Sequence, residues 1–128
     1  MNNKANEALI ASILNRWSST SNPAAATTAV ASVAAVAKVR HTVGKIIASQ
    51  RNYAAAAATA TLTVTDASIG GTVLAKIDFL TGTAAVERAT FDLELPGLIN
   101  SGIFASFDTV LASVTQKITM TGYSESFS

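Results

Sequence analysis

The 128-residue chain has no cysteine, one histidine and one tryptophan, and only 13% of its residues are Asp, Glu, Lys or Arg. Each shortage excludes something. Without cysteine there are no disulfides and no thiolate metal sites. With His41 as the sole histidine, a zinc or nucleophilic site lacks its usual partners within one subunit. Neither a metal nor another cofactor is expected, and His41 is expected at the tip of a strand face or against a neighbour. The formal net charge is +1 and the basic residues are dispersed, so no basic stripe is available to follow phosphates and no nucleic-acid partner is expected. No apolar run reaches the roughly 18 residues of a membrane-spanning helix, and no membrane partner is expected. The opening "MNNKANEALIASILNRW" interrupts its apolar residues with Lys4, Glu7 and Arg16, unlike the core of a signal peptide. A product made in the cytoplasm is the expectation.

The shortage of charge carries the most weight. Soluble domains average about 25% charged residues, and a surface poor in charge repels its neighbours weakly. Permanent assembly follows as the expectation, with a monomer clothed in Ser and Thr as the alternative. The length suits one domain, which buries roughly two-thirds of its unfolded surface.

What the chain does have is alternation. "TATLTVTD" places Thr59, Thr61, Thr63 and Thr65 on one face of a strand and Ala60, Leu62 and Val64 on the other. "KVRHTVGKIIAS" from residue 38, "VLAKIDFL" (73–80), "AVERATFDLEL" (85–95), "IFASFDTVLAS" (103–113) and "VTQKITMTGY" (114–123) read as further strands. "DASIGGT" reads as a turn whose glycines permit positive φ, and "PGLINSG" as a loop. About six hairpin-linked strands, each with one polar and one apolar face, predict a mainly β fold: an antiparallel β-sandwich or barrel over 38–128. Threonine suits the pleat without adding charge. A second row, Thr115, Thr119 and Thr121, is placed to pair with the first through hydroxyl contacts.

Residues 1–37 read differently. Ala5, Leu9, Ile10, Ile13, Leu14 and Trp17 recur at spacings of three and four, which predicts a short N-terminal helix with one apolar stripe, ended by "SSTSNP". "AAATTAVASVAAVA" (24–37) reads as a low-complexity extended arm or linker. The stripe Leu9, Ile10, Ile13, Leu14 and Trp17 and the threonines Thr59, Thr61, Thr63 and Thr65 are the candidate interaction residues. Packing of the stripe on its own sheet and docking on a neighbour both stay open.

Catalytic constellations are sparse. Asp92 and Glu94 share a strand face with Arg88, and Asp78 is expected across a hairpin; a solvated charge patch is the expected reading, and a carboxylate pair flanking a cleft is the enzymatic alternative. "IGGT" lacks the lysine and helix of a phosphate loop. Asp66 before its turn suits a backbone-capping carboxylate, with no EF-type calcium spacing. No enzyme is expected. A binding module using loops 66–72 and 96–102 for a saccharide or receptor is a further alternative. Its rings must come from Trp17, Tyr53, Tyr123 and five Phe.

The segments "VRHTVGKIIAS", "ATLTVTD", "LPG" and "KITMTGYS", in that order across residues 38–124, resemble small virion structural proteins of tailed bacteriophages. The resemblance implies a capsid decoration (cement) protein, or a tail, connector or fibre component. It would be present in many copies in the virion, as a homo-oligomer against other virion proteins such as a major capsid protein. It transfers no catalytic residue.

Overall fold

The computed structural model describes residues 15–53 and 56–127. Eight strands run in chain order: β1 (Asn15–Ser21), β2 (Val30–Val33), β3 (Val39–Asn52), β4 (Ala58–Asp66), β5 (Thr72–Thr81), β6 (Val86–Ile99), β7 (Ile103–Phe107) and β8 (Val114–Ser126). They form two four-stranded antiparallel sheets, β1-β8-β3-β6 and β2-β7-β4-β5. Only β4 and β5 are neighbours in both sequence and sheet. Every other connection crosses between sheets. This is the strand order of a jelly roll, two interleaved Greek keys that close on one core.

Alternation explains why these residues form these strands. Ala58, Ala60, Leu62 and Val64 on β4 point inward, as do Ile46 and Ala48 on β3 and Val114, Ile118 and Met120 on β8. Phe79 and Phe107 meet edge to face at 5.3 Å in the middle, joined by Ile103, Ala105 and Val43. Each fully buried Leu, Ile or Phe contributes about 1.5–3 kcal/mol of hydrophobic stabilisation. The alanines let the two sheets approach where a larger side chain would hold them apart.

The two margins of the sandwich differ. At one, β1 and β2 are joined by serines: the amide of Ser32 donates to Ser19 Oγ and that of Val30 to Ser21 Oγ, both at 3.0 Å. At the other, no strand among the described residues pairs with the outer edges of β5 and β6. Leu74 and Ile77 of β5 and Phe91 and Leu95 of β6 pack on the core there but stay only partly buried.

Several expectations are corrected. No helix occurs among the described residues; Trp17 lies in β1, where Ser18–Ser21 continue the strand instead of ending a helix. Leu9, Ile10, Ile13 and Leu14 lie outside the described residues. The alanine-rich stretch contributes β2, with Ala29 and Ala31 in the core. The six strands expected over 38–128 are present as β3–β8, and β1 and β2 add two more from the segment read as helix and arm; hairpins give way to crossovers, since β6 does not pair back on β5 but joins β3 in the other sheet. Part of "PGLINSG" is strand, since β6 runs to Ile99. The glycines of "DASIGGT" do not supply positive φ. Ala67 does, at φ 73°. Gly71 is required by close approach, because a Cβ there would lie 1.9 Å from the Asp66 carbonyl oxygen.

Candidate functional site

The threonine row keeps one face but not one exposure. Thr59, Thr61, Thr63 and Thr65 share the outer face of β4, the last two opposite Ser106 and Phe104 of β7 in an unbroken register. Thr65 is buried and its hydroxyl donates to the Ser68 carbonyl. Thr61 donates to Asp78 Oδ1 at 2.8 Å, and its amide donates to Asp108 Oδ1 at 2.8 Å. The second row cannot pair with the first, because β4 and β8 belong to different sheets. Thr119 instead meets Thr20 of β1, hydroxyl to hydroxyl at 3.4 Å.

His41 is not at a strand tip. It is 3% exposed, with Nε2 2.8 Å from the Ala34 carbonyl and Nδ1 2.6 Å from Ser124 Oγ. A carbonyl only accepts, so Nε2 carries a proton, and in the neutral ring Nδ1 accepts from the serine. Trp17 stands edge-on to its ring at 6.2 Å. The serine hydroxyl is buried too and offers no nucleophile to solvent.

A second buried polar cluster gives no sign in the sequence pattern. Gln50 and Gln116 are register partners on β3 and β8. Gln116 Nε2 donates to Gln50 Oε1 at 2.9 Å and to the Thr109 carbonyl at 2.7 Å, while its Oε1 accepts the Ala29 amide at 3.2 Å. Gln50 Nε2 donates to the Ala58 carbonyl and to Thr81 Oγ1. Asn52 continues the cluster by donating to the Ala56 and Gly82 carbonyls. Each amide is satisfied, as burial requires.

The expected facing of Asp78 and Asp92 does not occur, because their strands lie in different sheets. Asp92 is opposite Lys45 of β3, and Tyr123 donates its hydroxyl to Glu94 Oε2 at 2.8 Å. Among the described residues no cluster of three His, Asp or Glu stands close enough to hold a metal. Loops 66–72 and 96–102 pack together: the Ala67 amide donates to the Gly102 carbonyl and the Leu98 amide to Asp66 Oδ1. Neither contains an aromatic ring.

One shallow depression of about 760 Å³ opens on β1-β8-β3-β6, lined by Arg16, Trp17, Lys45, Glu94 and Tyr123 together with Gly44 and Gly122. Gly44 sits where the ladder shifts register between Val43 and Lys45. The indole Nε1 of Trp17 is buried and has no hydrogen-bond partner among the described residues. Two cations, a carboxylate, a phenol and the Ser18 and Thr121 hydroxyls share this surface.

The Glu94 carboxylate, by accepting the Tyr123 hydrogen bond, raises this phenol above its usual 10.0; desolvation and the negative charge of Glu94 push the same way, and Thr42 pulls it back. A raised acid favours its neutral form in the fold. That contribution is present below the usual phenol value and is lost as pH rises through the raised one. In a Tyr53→Phe background Tyr123 is the single tyrosine. There, Glu94→Gln is expected to move the phenolate absorbance titration down towards 10.0; an unchanged curve would remove Glu94 as the cause.

No family model matches the chain, and no curated protein matches it in sequence. Solved structures match in fold. Dimeric latent PorU from Porphyromonas gingivalis aligns with a TM-score of 0.52 at 8% identity, over 89% of this chain and 13% of that one. A CBM4 structure aligns at 0.44 and 10% identity over 82% and 70%. Desmodium yellow mottle tymovirus aligns at 0.44 and 9% identity over 90% and 89%. The chain thus spans only a small part of PorU. At such identities the likeness is one of fold alone: a two-sheet antiparallel β domain.

Proposed function

We propose that the chain is a structural assembly protein of a virion, used in many copies, with decoration of a capsid lattice as its favoured setting. One observation carries the reading. The exterior, poor in charge, exposes large apolar side chains along the two unpaired strands: Val73 and Leu80 on β5, and Val86, Leu98 and Ile99 on β6. Leu80 is 65% and Leu98 63% exposed. Free strand edges that carry exposed apolar side chains are suited to contact with other protein. Jelly rolls are used by viral capsid and lectin domains alike, which is an analogy of fold. The sequence resemblance to tailed-phage virion proteins tilts it towards the virion.

Light scattering on the size-fractionated protein tests the reading. A mass of two or more subunits at micromolar concentration is expected, growing with concentration. A monomer throughout overturns it.

Saccharide binding is the second reading. It is favoured by the depression, where Tyr123 lies beside Glu94, Arg16 and Lys45. The Tyr123 titration repeated with oligosaccharides present distinguishes it: an occupant covering the phenol shifts the curve, and an unchanged curve removes this reading.

A further inference from the structure

We infer that the partner on the β6 edge is a second copy of this chain, joined by antiparallel β6–β6 pairing about a two-fold axis at Phe91. The inference rests on the assembly reading and names its contact.

β6 is a 14-residue strand bonded among the described residues to β3 alone, in a ladder whose register shifts between Asp92 and Leu95. Its free edge presents unpaired amide and carbonyl groups that a second strand can satisfy. The sequence of that edge is complementary to itself in an antiparallel register centred on Phe91. Pairing residue 91 with its own copy places Arg88 opposite the partner's Glu94 and Glu94 opposite the partner's Arg88. Thr90 falls opposite Asp92, also twice over. Val86 falls opposite Pro96, so the ladder ends where proline has no amide to donate.

The faces agree with this register. On β6, Arg88 is opposite Ser49, Asp92 opposite Lys45 and Pro96 opposite Thr42. These residues and Glu94 are all exposed, which puts the alternate set on the outer side. Phe91 is opposite the buried Ile46 and turns inward. Opposite charges therefore meet on one face while the half-buried Phe91 rings meet on the other. Cross-strand pairs of opposite charge stabilise a sheet and like charges oppose it. Among the described residues the only ion pair is Arg40–Glu125, so Arg88 pairs with no described carboxylate of its own subunit, and Glu94 accepts the Tyr123 hydroxyl on Oε2, which leaves its Oε1 for the partner. A two-fold axis makes each favourable pair occur twice, as in any isologous interface.

Charge reversal tests both the edge and the register. Arg88→Glu sets two carboxylates against each other at both ends of the ladder, the introduced one facing the partner's Glu94. Glu94→Arg does the same with two guanidinium groups, the introduced one facing the partner's Arg88. Each single variant is expected to weaken the dimer at least roughly tenfold in sedimentation equilibrium, with circular dichroism unchanged. Mixed together, the two variants are expected to form a one-to-one heterodimer, because every carboxylate at positions 88 and 94 then meets a guanidinium. The double variant Arg88→Glu/Glu94→Arg is expected to dimerise with itself again. If the wild type is oligomeric but each single variant associates as strongly, the β6 register is wrong and the assembly reading stands. If the single variants dissociate but neither mixing nor the double variant restores pairing, another occupant uses this edge and the inference falls. A wild type that is monomeric throughout overturns both.

Discussion

Gln116→Leu is expected to cost about 3 kcal/mol of unfolding free energy, a large share of the 5–15 kcal/mol typical of a domain. The side chains are close in size, so the cost is one of hydrogen bonds and not of volume. Leucine removes the acceptor of the Ala29 amide and the donor to Gln50 Oε1. Both groups belong to residues that are essentially inaccessible to water. The Thr109 carbonyl also loses its donor, but Thr109 is exposed and solvent can replace it. Each buried orphan costs about 1–3 kcal/mol. Gln50→Leu/Gln116→Leu is expected to cost less than the two single changes together, because the orphaned Gln50 oxygen disappears with its residue. Urea unfolding with an unchanged slope is the measurement. A change within about 0.5 kcal/mol of wild type, the range of inert surface substitutions, would mean that the amide cluster contributes nothing.

That cluster also marks the limit of what the sequence discloses. The strand character after residue 38 is legible because alternation is a local property: Ala60, Leu62 and Val64 against Thr59, Thr61 and Thr63 needs only the pleat. Strand partners are not local. Nothing within "VLAKIDFL" or "AVERATFDLEL" states that they belong to opposite sheets, and a glycine turn between them looks like a hairpin. Gln50 and Gln116 occupy inward positions in strands whose pattern there is ordinary alternation, and glutamine reads as solvent-facing until its partner is known. Trp17 misleads for a related reason. A spacing of three and four from Leu9 is helical, and Ser18–Ser21 holds no apolar residue to mark a strand face, so only pairing with β8 makes it a strand. Of the surface depression only the glycines are visible in the sequence. The convergence of Arg16, Lys45, Glu94 and Tyr123 from four strands is a product of the crossover topology.

Gly122→Ala is expected to cost about 3 kcal/mol, the upper part of the usual overpacking range, although alanine is the smallest possible addition. A Cβ at residue 122 would stand 2.1 Å from the Thr42 carbonyl oxygen and 2.5 Å from Trp17 Cζ2. Neither contact is relieved cheaply. β8 lies between β1 and β3 and is bonded to both, so moving residue 122 away from one ladder strains the other. The indole is held on its far side by His41, whose ring is fixed by Ala34 and Ser124. A displaced Trp17 therefore disturbs the edge pairing of β1 and the lining of the depression together. The tryptophan is the only one in the chain, so its emission reports the displacement directly, and a shift is expected even where the variant stays folded. Trp17→Ala should also cost less in the Gly122→Ala background than in the wild type, because the ring has already lost its seat; the Thr42 contact remains in both. Equal costs in the two backgrounds, with emission unchanged, would show that Gly122 is not what lets β1 close on β8.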